Sequence, residues 1–200
     1  LSRQTGCDAM GIAEKLVEVL QAREPAPVNW TIFSKNLVEK VLEDHNLPRA
    51  IAKFMPEDRV SAVEDMLEEL MGLHPSASTL IRQTTETILH LATLGNVILI
   101  GRGAAAIARP LNNVFHVRLV APLEQRVKKV MKQTRLTRDA CLELIRKKDL
   151  ARGRYLKDNF KVDIDDALLY DLVINTARIS QDQVAKLIGE TVVDRAKKPH

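Results

Sequence analysis

Two periodicities alternate along the chain. Ile12, Leu16, Val19 and Leu20 stand at i, i+4, i+7 and i+8, which predicts one buried helix face ending near residue 23. Pro25 and Pro27 break it, and the β-formers of Val28-Asn29-Trp30-Thr31-Ile32-Phe33 predict a strand. Ser34 then stands as the cap of a helix striped by Leu37, Val38, Val41 and Leu42, which Pro48 closes. Two more helices are expected over 56–95. The first opens on Pro56-Glu57-Asp58 and carries Val60, Val63, Leu67 and Leu70. The second starts near Pro75-Ser76, turns Leu80, Thr84, Ile88 and Leu91 inward, and takes Gly95 as its C-cap. The uninterrupted apolar run Val97-Ile98-Leu99-Ile100 has the form of a strand buried on both faces of a parallel sheet.

The second half repeats the alternation. It predicts a short helix over 104–108 stopped by Pro110, a strand over 114–120, and a helix from Pro122 to about 132. Thr137 caps a long basic helix reaching to about 160, and 171–175 is a final buried strand. Ser180 and Gln183 form a capping box for the last helix. Strand and helix alternate throughout, so the fold class is α/β with a mostly parallel sheet, whose ligands bind beyond the carboxyl ends of the strands.

Composition narrows the class. Two hundred residues suit one domain, 1–200, or one domain with a movable lid. Aromatics make up only 4%, against a β-sandwich and against a stacking platform for single-stranded nucleic acid. No apolar run approaches the roughly 20 residues of a membrane helix. Cys7 and Cys141 form no disulfide framework or zinc pattern, and the five histidines share no metal-ligand spacing, so no metal site is expected. Without a signal peptide or lipidation motif, a cytoplasmic location is expected. Only Leu1 and Ser2 precede Arg3-Gln4, fewer than a central strand needs, so earlier apolar residues are expected in the natural chain.

The net charge of +4 conceals an asymmetry. Residues 1–100 carry 9 Lys+Arg against 14 Asp+Glu, whereas residues 101–200 carry 21 against 12. Between Arg126 and Arg154, 11 basic residues face 3 acidic ones. A stretch of this kind attracts phosphates, nucleic acid or an anionic surface.

Three constellations carry candidate chemistry. Gly6-Cys7-Asp8-Ala9-Met10-Gly11-Ile12 lies between the first extended residues and a helix, where backbone amides and the helix dipole cradle phosphate. A full phosphate loop continues Gly-Lys-Ser/Thr; here Ile12 and Ala13 follow Gly11, and a plain strand-to-helix turn explains the two glycines as well. Gly101-Arg102-Gly103 follows a buried strand, which places a planar guanidinium at the ligand edge of the sheet. Arg146, Lys147, Lys148, Asp149, Arg152, Arg154 and Lys157 set several cations on adjoining helix faces. They suit a lid closing over polyphosphate or, equally, a solvated helix with internal ion pairs. Cys7 at a helix N-terminus fits a reactive thiol or, more simply, loop packing.

Together these segments resemble the cytidylate kinase-like family, a branch of the P-loop nucleoside monophosphate kinases. The resembling residues are Ser2-Arg3-Gln4-x-Gly6 with Ile12-Ala13-Glu14-Lys15-Leu16, then Gly95-Asn96-Val97-Ile98-Leu99-Ile100-Gly101-Arg102-Gly103-Ala104. His116-Val117-Arg118-Leu119-Val120-Ala121-Pro122 and Ile145-Arg146-x-x-Asp149-x-x-Arg152-x-Arg154-Tyr155 follow, and Asp165-Asp166-x-Leu168-Leu169-Tyr170-Asp171-Leu172-Val173-Ile174-Asn175-Thr176 ends the series.

The resemblance implies a five-stranded parallel sheet of the P-loop NTPase type, with an acceptor-binding insertion around 34–95 and a basic lid around 132–160. It implies phosphoryl transfer from ATP, with Mg²⁺, to a nucleoside monophosphate such as CMP. In that scheme residues 6–12 hold the donor phosphates. Arg102, Arg146, Arg152 and Arg154 serve the transferring group. Lys35, Arg102, Arg118, Asp149 and Asp166 serve the acceptor. Nucleotides are the expected partners, with no nucleic acid or membrane, and a homodimer is compatible with the helix stripes. The family's cytidylate kinases place Gly-Lys-Gly-Thr where this chain has Ala9-Met10-Gly11, and a phosphate lysine is worth about 10²–10³ in rate. The alternative expectation is therefore a catalytically impaired nucleotide or phosphate sensor on the same fold.

Overall fold

The computed structural model describes residues 1–23, 29–34, 36–46 and 76–197. The helix expected from Pro56, the tail from residue 198 and the candidate Lys35 lie outside these residues.

Strand β1 (Ser2–Arg3) leads into helix α1 (Ala9–Gln21), and β2 (Thr31–Phe33) into α2 (Asn36–Asp44). Helix α3 (Ala77–Leu94), strand β3 (Val97–Leu99) and the short α4 (Ala104–Ile107) follow. Next come β4 (Val117–Val120), α5 (Leu123–Thr134) and the long α6 (Arg138–Phe160). A 3₁₀ turn (Ala167–Leu169), β5 (Leu172–Asn175) and α7 (Gln181–Lys197) complete the order.

Every ladder is parallel: β1 pairs with β4, β4 with β5, and β2 with β3. Leu1 joins the two groups. Its amine donates to Leu99 O at 2.5 Å, and its carbonyl accepts from Gly101 N at 3.0 Å. The spatial order is therefore β2-β3-β1-β4-β5, with β1 central although it is only two residues long.

Amphipathic faces explain the layers. Ile12, Ala13, Leu16 and Leu20 of α1 and Val184, Ala185 and Ile188 of α7 bury one face of the sheet against Ile98, Ile100, Val117, Leu119 and Ile174. Gly189 lets α1 and α7 approach, because a Cβ there would lie 2.6 Å from Val19 Cγ1. On the other side Leu37, Ile88, Leu91 and Ile107 close on Leu99. Between α5 and α6 a smaller cluster gathers Val127, Val130, Cys141 and Ile145.

Helix boundaries follow the capping signals closely. Ser76 caps α3, Gly95 ends it at φ +79°, and Ser180 and Gln183 exchange the two reciprocal bonds of a capping box at 3.0 and 3.2 Å. Thr137 Oγ1 accepts from Ala140 N at 3.3 Å and fixes the start of α6. Thr137→Ala is expected to cost about 1 kcal/mol of stability, read from the midpoint of a urea unfolding curve.

Two strands begin later than the apolar pattern predicts, for one local reason. Asp171 Oδ2 accepts the His116 amide at 2.6 Å, and Asp171 N donates back to His116 O at 2.8 Å. A side chain thus takes the first rung, and the β4–β5 register opens at Val117 and Leu172 rather than at 114 and 171. Phe115, ahead of that rung, lies under the Arg195 guanidinium at 5.7 Å. Likewise β2 starts at Thr31, because its pairing begins opposite Val97.

Candidate functional site at the carboxyl edge of the sheet

The turn after β1 is shaped by its neighbours. Gly6 adopts φ +93°, and a Cβ there would meet Arg126 Cβ and Arg126 O at 2.9 Å. Only glycine fits both the backbone angle and the contact. Cys7 is 2% exposed, and burial pushes its thiol up, against weaker lowering contributions led by a hydrogen bond with Thr176. It is a packing residue rather than a ready nucleophile.

Asp8, at φ +51°, is the N-cap of α1. Its carboxylate accepts from Gly11 N at 3.4 Å and Gln181 Nε2 at 2.6 Å, and pairs with Lys129 Nζ at 3.0 Å. Burial disfavours the charge, but Lys129, Gln181 and the Gly11 amide outweigh it and hold the carboxyl below its usual range. The amides of Ala9 and Met10 precede the first α1 hydrogen bond, from Ile12 N to Asp8 O, at the helix end where the dipole favours an anion.

Asp149 of α6 reaches the same turn. Its Oδ1 accepts from both Thr5 N and Thr5 Oγ1 at 2.8 Å. Its Oδ2 accepts from Arg126 Nη1 at 2.7 Å, and Arg152 Nη2 donates to Asp149 Oδ1 and to Thr5 Oγ1. Arg126 also ties down the turn by donating to Ala121 O at 3.0 Å and Thr5 O at 3.2 Å. Asp149 and Arg152 are three residues apart on one helix, so a single α6 face delivers both.

The remaining predicted residues divide. Arg102 sits at the carboxyl end of β3, in a run where Gly101, Arg102 and Gly103 all have positive φ (79°, 59° and 73°). Gly103 needs its missing side chain, since a Cβ would lie 2.8 Å from Phe160 Cε2 of α6. Arg118 is only 4% exposed, and its guanidinium donates to Ser2 Oγ at 2.8 Å and Asp165 Oδ1 at 2.6 Å over the Tyr170 ring. Asp166 caps the 3₁₀ turn by accepting from Leu168 N at 2.9 Å. Arg146 and Arg154 are exposed, Arg146 beside Asp139, Glu143 and Lys147 along α6. The structure thus brings Asp149 and Arg152 onto the turn and leaves Arg146 in solvent.

Thr5, Arg126, Lys129 and Gln181 are site residues that sequence reasoning did not single out. Arg126 and Lys129 fell inside the basic stretch, but only folding shows that α5 starts beside the β1 turn. No local signal marked Thr5 or Gln181.

The model of the cytidylate kinase-like family matches residues 1–178. The cytidylate kinase of Methanocaldococcus jannaschii is 23% identical over 164 residues, covering 81% of this chain and 92% of that enzyme. That of Pyrococcus horikoshii is 26% identical over 163 residues, 81% of each. A uronate isomerase of Corynebacterium glutamicum is 33% identical over 114 residues, but this chain covers only 22% of its length. A crystal structure of an uncharacterized protein from Eubacterium ventriosum superposes with a TM-score of 0.69 over 97% of this chain and 96% of that one, at 18% identity, which speaks to the fold alone. The β1 turn, the Gly-Arg-Gly run after β3 and the Asp149–Arg152 pair of α6 all fall within the matched region, and the chain belongs to the cytidylate kinase-like family.

Proposed function

We propose that this protein transfers the γ-phosphoryl group of ATP, taken as its Mg²⁺ complex, to a nucleoside monophosphate of the CMP type. The observation that carries the reading is the anion-binding cluster at the β1 turn. A loop amide, a loop hydroxyl and two buried guanidiniums converge there on one carboxylate, at the sheet edge where α/β folds bind ligands. Phosphoryl transfer asks mainly for positioning and for positive charge around the transferring group. Family membership and the cytidylate kinases among its relatives support the same chemistry.

In this reading the Ala9 and Met10 amides of the first α1 turn bind donor phosphates. Arg126 and Arg152 neutralise the terminal phosphoryl group, and α6 acts as the lid. Arg102 and Arg118 stand on the acceptor side. ATP with its Mg²⁺ supplies the phosphoryl group. Lys129, held at the turn by Asp8, brings an ammonium from α5 to a loop in which Ile12, not a lysine, follows Gly11.

A second reading, a nucleotide or phosphate sensor without turnover, is favoured by the carboxylates of Asp8 and Asp149, which stand where phosphate charge would enter. One experiment separates the two. ADP release is followed with Mg²⁺-ATP and a panel of nucleoside monophosphates, alongside calorimetric nucleotide binding. Transfer predicts ADP formation that depends on one acceptor. Saturable binding with turnover no faster than buffer leaves the sensor, and no binding at millimolar nucleotide removes both.

A further inference from the structure

The cluster around Asp149 is unbalanced in charge. Arg126 and Arg152 are 8% and 5% exposed, yet only one carboxylate stands between them. Buried charges are stable when paired and fully hydrogen-bonded. Here one positive charge is in excess, and Arg152 Nε is buried with no partner among the described residues.

Four donors converge on Asp149: Thr5 N, Thr5 Oγ1, Arg126 Nη1 and Arg152 Nη2. They come from the β1 turn, α5 and α6. A backbone amide and a hydroxyl beside two forked guanidiniums, arriving from three elements, suit a tetrahedral dianion better than a planar monoanion. We infer that these donors form a seat for a doubly charged phosphoryl group, and that the Asp149 carboxylate is its internal occupant, expelled when a phosphate chain enters. The inference deepens the proposed function, since the seat would receive the terminal phosphoryl group of the donor.

The exchange balances. A dianion opposite Arg126 and Arg152 leaves the seat neutral, and its additional oxygen gives Arg152 Nε an acceptor. Asp149 is more exposed than either arginine, its side chain 26% accessible against 10% and 6%, so it can return to water as α6 moves. An empty site is thereby latched shut by its own lid helix, and phosphate is the key that opens it.

The test uses tripolyphosphate, which needs no nucleoside pocket and no turnover. In calorimetry, Asp149→Asn is expected to bind tripolyphosphate about tenfold tighter than the natural chain or better, because the competing charge is gone. Inorganic phosphate should show the same direction more weakly, and cytidine should show no difference. Adding Arg152→Gln to Asp149→Asn should abolish the gain. Equal or weaker tripolyphosphate binding by folded Asp149→Asn overturns the proposal. If that variant does not fold in anion-free buffer, its refolding yield with and without tripolyphosphate reads the same point: recovery supports the seat, and no recovery overturns it. Tighter polyphosphate binding without nucleotide turnover would keep the seat while removing phosphoryl transfer. Turnover without tighter binding would do the reverse.

Discussion

Arg126→Met is expected to destabilise the fold by about 3–4 kcal/mol, the lower part of the range for breaking a buried ion pair from one side. The side chain holds three partners: Ala121 O, Thr5 O and Asp149 Oδ2. Methionine keeps the aliphatic stem and its packing, so the loss isolates the guanidinium. Asp149 would retain Arg152 and Thr5, which keeps the effect below that of stranding a lone buried charge. Arg126→Lys restores the charge without the fork and should recover only part of the loss. Guanidinium unfolding followed by the single Trp30 provides the measurement. A loss below about 1 kcal/mol for Arg126→Met would show that the arginine is a surface tether and not the organiser of the turn.

Gly6→Ala is the second large effect, about 2–6 kcal/mol. It combines backbone strain of about 1–3 kcal/mol with an overpacking term of about the same size. At φ +93° an L residue is already strained, and the new methyl would lie 2.9 Å from Arg126 O and 3.0 Å from Arg126 Cα. These are backbone-bound atoms and cannot rotate away. Gly95→Ala is the internal control. Gly95 also has a positive φ, 79°, with an extended ψ, but nothing lies within 4 Å of its Cβ position, so it should show only the conformational cost of about 1–3 kcal/mol. If the two variants unfold at the same denaturant concentration, the close approach of the turn to Arg126 contributes nothing. Because the turn is also the proposed phosphate site, Gly6→Ala should weaken tripolyphosphate binding, whereas Gly95→Ala should leave it unchanged.

Local signals were legible wherever a single stretch of chain contains the whole interaction. Thr137 and the Ser180/Gln183 box bond to residues three positions away, so capping chemistry alone located those helix starts. The run before Gly101 read as a doubly buried strand because both faces of β3 are covered by helices. The starts of β4 and β5 were not legible. Asp171 replaces a ladder rung across a separation of 55 residues, and nothing at position 171 announces that its carboxylate will accept the His116 amide.

The same division runs through the site. Sequence by itself determined the α/β class, the helix and strand order, the surplus of cations after residue 126 and the absence of a lysine after Gly11. All of these are properties of local composition and spacing. It could not distinguish a phosphate loop from an ordinary turn, or a lid from a solvated basic helix. What tertiary structure decided is the company these segments keep: it brings α5 and α6 against the β1 turn, where Arg126 and Arg152 are buried around the Asp149 carboxylate. The physical reason is that a charge acquires a function only through its desolvation and its partners. Those partners are separated here by 121 to 147 residues of chain, between Thr5 and the two arginines.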